Sequence, residues 1–381
     1  MDSDSSHTAT PTASRNRHLL DELLAEADIQ INGDRPWDMQ LHRTEALDEI
    51  VARHSLGLGE TYMRGDWSTP ALDEFFYRLL RADLQKKIKP FRNLWRIARA
   101  HLINLQTRSR AYQVGERHYD LGNSLYQSML DSRMTYSCGY WRNADNLEQA
   151  QEHKLDLICR KLGLQPGMRL LDIGCGWGSL VGYAAERYGV ECVGVTVSRE
   201  QCRYIEETYP HLPIKVHLQD YRALNESYDR IASVGMFEHV GRKNHRTFMQ
   251  VARRCLKNNG LLLLHTIGKN QRHSTTDAWI DKYIFPNGDL PSNGQICDAA
   301  EGLLIAEDLH NFGSDYDKTL MAWYQNFETN WEKFADSFGQ EFYRMWRYYL
   351  LSCAGAFRAR HIQLWQWMFS DRLKGGVTRV V

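Results

Sequence analysis

The chain has no net charge: 47 Lys and Arg balance 47 Asp and Glu across 381 residues. A balanced chain presents no global field toward a polyanion, and no recognisable nucleic-acid module accompanies it, so nucleic acid is not an expected partner. No apolar run reaches the ~18–20 residues that span a bilayer. The first residues, Met1 to Ser14, hold Ser and Thr but no apolar stretch, and read as a disordered tail rather than a signal peptide. The eight cysteines are scattered, with no Cys-x-x-Cys pair. They read as reduced thiols in the cytoplasm rather than a structural zinc site. No internal repeat is visible.

What is there is unevenly placed. Residues 15–106 read as a small, mostly helical domain, with a loop at Ser55-Leu-Gly-Leu-Gly-Glu60 and a helix over Leu72–Leu84. From Arg78 to Arg117 there are eleven Lys or Arg against Asp83 and Glu116. Within it, Phe91, Leu94, Trp95, Ala98, Leu102 and Leu105 share one helical face, and Arg92, Arg96 and Arg99 another. Such a helix either rests on an anionic lipid surface or packs in a domain with its basic face solvated. The polar segment Thr107–Gly115 marks a linker, 107–117. From residue 118 to 381, strands alternate with helices, which argues a parallel sheet with crossover helices. The expected strands are Leu170–Ile173, Cys192–Val195, Ile214–Leu218, Arg230–Val234, Leu261–Leu264 and Leu304–Asp308. Ile362–Met368 fits helix or strand. Ser198 caps a helix reaching Tyr209, with Gln201 placed for a capping box.

In an open parallel sheet, ligands bind beyond the carboxyl ends of the strands. After the first strand come Gly174, Gly176 and Gly178, a turn that brings backbone close to a bulky ligand. The spacing is one residue short of the dinucleotide fingerprint. Asp172 before this turn gives Asp-x-Gly-x-Gly, which is similar to the first motif of the S-adenosylmethionine (SAM) methyltransferases. Asp220 and Tyr221 suit an adenine site, by a carboxylate for the amino group and a ring for the base face. The second strand ends in Thr196 where many SAM enzymes carry an acid, so Thr196 and Gln201 are left to hold the ribose. Glu238, His265 and Tyr316 follow further strands, so polar groups collect along one edge of an apolar sheet.

An ordered set of motifs runs along the chain. It comprises Thr135-Tyr-Ser-Cys-Gly-Tyr-Trp141, the glycine turn, Val234-Gly-Met-Phe-Glu-His-Val-Gly241, Leu264-His-Thr-Ile-Gly268, Tyr283-Ile-Phe-Pro-Asn-Gly288, His310-Asn-Phe-Gly313 with Asp315-Tyr316, and Cys353-Ala-Gly-Ala-Phe-Arg358. Together with Ser55-Leu-Gly-Leu-Gly-Glu-Thr-Tyr62 they resemble the cyclopropane-fatty-acyl-phospholipid synthases, within the SAM-dependent cyclopropane and mycolic acid synthase family. The resemblance implies an α/β fold: a Rossmann-like class I SAM-dependent methyltransferase domain behind a smaller helical N-terminal domain that faces lipid. It implies methyl transfer from SAM to the double bond of a phospholipid acyl chain, a carbocation, proton loss and ring closure. It also implies a homodimer, cytoplasmic and peripheral on the inner face of the membrane.

By the same resemblance the base is a bound bicarbonate, contacted by Cys138, Glu238, His265, Ile267 and Tyr316, with Cys138 and Ile267 acting through backbone groups. SAM contacts fall on Tyr136, Ser137, the segment from Leu170 to Gly178, Thr196, Ser198, Gln201 and Tyr221. Tyr140, Trp141, Phe237, Tyr283, Phe285 and Tyr316 are aromatic candidates for stabilising a cation. Cys353 needs no covalent role, because methyl transfer to an alkene forms no enzyme adduct in this scheme. Two other readings share the fold, acyl-chain methylation without ring closure and amine N-methylation. A peripheral membrane protein with a vestigial SAM pocket is a third.

Overall fold

The computed structural model describes residues 11–83, 123–272 and 276–381. The basic amphipathic stretch from Phe91 to Leu105 and the linker 107–117 lie outside the described residues, as do residues 1–10. The leading part holds α1 (Pro11–Glu26), the short strand β1 (Gln40–Leu41), α2 (Glu45–Arg64), β2 (Trp67–Ser68) and α3 (Leu72–Arg81). α1 begins at Pro11, whose fixed φ suits a first helical turn, so helix takes up residues that composition alone assigns to the tail. α4 (Asn123–Met129) and α5 (Leu147–Lys161) then lead into the sheet.

Seven strands form that sheet: β3 (Arg169–Ile173), β4 (Glu191–Thr196), β5 (Ile214–Leu218), β6 (Tyr228–Val234), β7 (Leu256–Lys269), β8 (Ile305–Asn311) and β9 (Ile362–Ser370). Their order is β5-β4-β3-β6-β7-β9-β8. The reversal of order at β3 and β6 puts a crevice beyond Ile173. β9 is the antiparallel strand, inserted between β7 and β8. This settles Ile362–Met368 as strand; Trp365, Trp367 and Phe369 pack on one face while Leu364 and Met368 are buried on the other, which hides the period from sequence.

The period of two sorts the core. Leu261 and Leu263 pack with Leu155, Ile158 and Val181 of α5 and α6 (Ser179–Tyr188). Leu262 and Leu264 pack with Phe248 and Met249 of α8 (His245–Cys255), which follows α7 (Arg199–Thr208) in the chain. A third core joins the two parts of the chain. Tyr62, Trp67, Phe75 and Phe76 meet Trp279, Trp346 and Tyr348 in one buried cluster. These come from α9 (Ala278–Tyr283) and, after α10 (Asn293–Ala300) and α11 (Ser314–Asn330), from α12 (Ala335–Arg358).

One expectation is corrected here. Ser55–Glu60 is not a loop but the second half of α2, after a kink at His54, whose φ is 54°. The glycines that suggest a loop serve close packing instead. A Cβ on Gly57 would overlap the Glu49 carbonyl, and one on Gly59 the Trp279 indole. Among the described residues no helix is long and apolar enough to cross a membrane.

Candidate functional site

The first group of residues sits at the ends of β3, β4 and β5. Gly174, Gly176 and Gly178 all have positive φ, at 85°, 55° and 85°. The reasons differ. A Cβ on Gly174 would stand 2.6 Å from Met236, and one on Gly178 2.8 Å from Ile205, while Gly176 meets nothing within 4 Å. The turn is anchored by the amides of Gly174 and Cys175, both donating to the Val195 carbonyl. Beyond β4, Thr196 donates its hydroxyl to Gln201 Oε1 at 2.7 Å, and Ser198 Oγ accepts the Gln201 amide at 3.3 Å. The Gln201 side chain is therefore turned to Thr196 instead of closing a capping box. Its Nε2 is buried without a partner, as is Asp172 Oδ1. A buried donor and a buried acceptor left open beside a glycine turn fit a polar ligand such as the amino-acid and ribose parts of SAM.

Asp220 is less free than expected. Its carboxylate caps the turn at Tyr221–Ala223 and takes the Arg222 guanidinium at 2.6 Å. Tyr221 leans on Phe248 at 5.6 Å between ring centres. Leu170 lies fully buried in the core under α5 and α6, and offers a ligand no polar side-chain atom.

Sequence reasoning missed the groups that support this turn from below. Lys154 is buried on α5 and donates to Ser137 Oγ at 3.0 Å. Burial pulls its pKa down to about 8, against the opposing pull of Asp131, Cys138 and Asp172. Burial pushes Asp172 up to about 7, resisted by Lys154. Gln151 donates to the Ser137 carbonyl at 2.8 Å. The signal was present: Leu147, Ala150, Gln151, Lys154, Leu155 and Ile158 share the buried side of α5, and the two polar members stand out.

A second group forms a buried aromatic cluster, the candidate acceptor chamber. Tyr136 packs on Tyr126 at 5.2 Å and Trp323 at 5.1 Å, and shares a hydrogen bond with the Tyr349 hydroxyl at 2.8 Å. Tyr316 stacks on Phe357 at 4.5 Å. Its hydroxyl is held well above its ordinary pKa, first by burial and then by neighbouring Cys138, Glu238, Tyr136 and Cys353. Four of the expected residues thus lie within electrostatic reach of Tyr316. Glu238 is 6% exposed; Oε1 accepts the Ile267 amide at 2.6 Å and Oε2 has no partner. Burial raises this carboxyl to about 7, opposed by that amide. Cys138 is buried, its thiol bonded to the Gly139 carbonyl and pushed well up by burial. Burial pushes the Cys353 thiol to about 12.

His265 is placed differently. Its Nδ1 accepts from Gln366 Nε2 at 3.2 Å, which leaves the proton on Nε2, a buried atom without a partner. Burial, then Lys154 and Lys161, hold the ring well below its ordinary pKa, so it is neutral. No hydrogen bond joins it to Glu238. Glu238 beside Tyr316, and His265 apart from them on β7, are thus each able to donate near neutral pH: a carboxyl raised to about 7, a phenol and a neutral imidazole N–H. Such a set fits an anion, where a bare carboxylate would repel one.

A family model described as mycolic acid cyclopropane synthetase matches residues 106–367. The cyclopropane-fatty-acyl-phospholipid synthase of Escherichia coli (strain K12) is 52% identical over 360 residues, covering 94% of each chain. The solved mycolic acid cyclopropane synthase CmaA1 complexed with SAH and CTAB has a TM-score of 0.65 and 32% identity, over 68% of this chain and 98% of that one. Coclaurine N-methyltransferase, at 22% identity and a TM-score of 0.68 over 86% of this chain and 100% of that one, shares the fold.

Proposed function

The chain belongs to the mycolic acid cyclopropane synthetase family, and from that premise we propose that this SAM-dependent methyltransferase cyclopropanates the unsaturated acyl chains of phospholipids. The observation that carries the reading is the unpartnered, buried Glu238 Oε2, within reach of Tyr316, whose hydroxyl also lies near Cys138 and Tyr136. SAM supplies an electrophilic methyl group when bound, with Asp172, Gln201, Ser198 and Thr196 as its polar contacts and Tyr221 at its base. An alkene is a poor nucleophile, so it needs alignment in a dry slot. Tyr136, Tyr316 and Tyr349 exclude water and present π faces to a developing cation. Glu238, His265 and Tyr316 hold donors toward the place where an anion would sit, and bicarbonate there would supply the base. Incubation with SAM and unsaturated phospholipid vesicles, followed by acyl-chain mass analysis, tests this. Each modified chain gains one CH2 and loses its double bond. A methyl branch or a methylated headgroup would replace the reading by another methyl transfer.

Cys353→Ser retains at least a third of wild-type turnover, since a thiol held at about 12 is not a nucleophile at neutral pH. A folded, SAM-binding but inactive Cys353→Ser protein would bring the thiol back into the mechanism.

The reading extends to the whole chain. Residues 15–106 form the lipid-facing region, 107–117 the linker and 118–381 the catalytic domain of a homodimer at the inner membrane face. Reversing Arg92, Arg96 and Arg99 to Glu weakens binding to anionic vesicles at low salt, at roughly 1 kcal/mol per residue near the surface. Undiminished co-sedimentation of that triple variant would mean the basic face is merely solvated.

A further inference from the structure

Glu60 lies in the stretch Ser55–Tyr62, which the reaction leaves without a task. It stands on the second half of α2 and is 8% exposed. Its carboxylate takes Lys282 Nζ at 2.6 Å, the Tyr283 hydroxyl at 2.9 Å and the Arg53 guanidinium at 2.5 Å. Two of these partners belong to α9, far along the chain. One residue earlier, α2 is notched at Gly59, where the Trp279 indole enters. Trp279 is fully buried, donates to Met63 Sδ at 3.3 Å and packs on Tyr348 at 4.4 Å. The leading part thus grips α9 by an ionic clamp and by an indole in a notch.

From α9 the chain runs directly to the acceptor chamber. Phe285 lies 5.8 Å from the Tyr349 ring and 5.9 Å from His239. Asn287 donates its amide to Asp281 Oδ1 at 2.9 Å, tying the turn back to α9. The Asp289 amide donates to the Glu238 carbonyl at 2.9 Å, and its carboxylate pairs with Lys269 at 3.2 Å. Glu238 is therefore held by Asp289 at its backbone and by Ile267 at its carboxyl.

We propose that Glu60 is a positioning residue for the reaction: by clamping α9 it holds Phe285–Asp289 against Glu238 and so fixes the acceptor chamber. This rests on the reading of Glu238 as part of that chamber. The family model begins at residue 106, so Glu60 lies outside the portion it matches, although its partners on α9 lie within. Glu60 is the low-exposure member and Lys282 and Arg53 reach solvent, so removing its charge releases α9, whereas an isocharged exchange at Lys282 keeps the pair.

The test uses the full chain, with hydrogen exchange read by mass spectrometry beside kinetics and SAM titration. In Glu60→Gln, amides of residues 285–289 exchange roughly 10–100-fold faster, the equivalent of one charge-assisted hydrogen bond. Turnover on unsaturated vesicles falls by up to ~10²-fold, as for a small misplacement of reacting groups. SAM affinity and the protection of β3 and β4 stay as in the wild type. Lys282→Arg keeps the charge and behaves as wild type. If Glu60→Gln loosens the whole fold, Tyr283→Phe, which removes one bond of the clamp, still speeds exchange at 285–289 alone. Unchanged exchange there in both variants overturns the clamp, and faster exchange with undiminished turnover overturns its role in the reaction. A clamp that behaves as stated in a protein whose product is not a cyclopropane refutes the reaction assigned above instead.

Discussion

Glu238→Ala lowers turnover by ~10²–10⁴-fold, the range of a lost acid–base group, while SAM affinity stays within a factor of two or three. The carboxyl lies beyond β6, where its bonded partner is the Ile267 amide and its neighbour Tyr316. Alanine removes both the acceptor for the Ile267 amide and the group facing Tyr316. Glu238→Gln loses less, because an amide keeps one acceptor for Ile267 and one donor into the chamber. The two variants also separate by pH. With the wild-type carboxyl raised to about 7, its protonated form dominates below that value and is lost above it. Turnover that needs the protonated donor therefore falls as pH rises through about 7, and Glu238→Gln lacks that limb. A Gln variant as inactive as Ala, with wild-type turnover rising instead of falling through about pH 7, would show that the carboxylate form is the working one. Stripping bicarbonate from the assay and restoring it tests the anion independently: turnover falls and recovers if the donors hold it.

Gly174→Val and Gly176→Val abolish SAM binding, with different effects on stability. Both positions have positive φ, where a β-branched residue is strained by roughly 1–2 kcal/mol. At Gly176 nothing blocks a side chain within 4 Å, so the loss comes from the altered turn and from filling the space kept for ligand. At Gly174 the valine also collides with Met236, two residues before Glu238, so this variant melts several degrees lower. Calorimetric titration with SAM on the folded proteins reads the affinities, and thermal melts read the difference. Wild-type affinity in both variants would remove the glycine turn from the cofactor site.

Periodicity and turn chemistry carried much of the fold. The four strands β3 to β6 and the Ser198 cap stand where spacing places them, because each rests on local rules: alternation of apolar side chains, a capping hydroxyl, glycine at positive φ. β7 extends to Lys269, beyond the apolar run that marks it, since Thr266 to Lys269 stay paired with β9 after the pairing with β6 ends at His265. The loop expected at Ser55–Glu60 failed for the same reason in reverse. Glycine has two uses, conformational freedom and close approach, and the neighbour that distinguishes them, Trp279, lies far away in the chain.

The site divides along the same line. The sequence alone singled out the candidate residues, since Asp172, the glycines, Glu238, His265 and Tyr316 lie at or just past the strands it marks, and an open sheet gathers strand ends at one edge. It also determined the family, because an ordered set of motifs survives without any coordinates. Only the tertiary structure decided what each group can do. The protonation of Glu238 and the neutrality of His265 depend on desolvation. The engagement of Asp220 by Arg222 depends on side-chain geometry. The buried Lys154 beneath Asp172 and the clamp from Glu60 to Lys282 depend on which surfaces are pressed together. Charge in a low dielectric is set by everything within several ångströms, and those neighbours come from residues far apart in the chain.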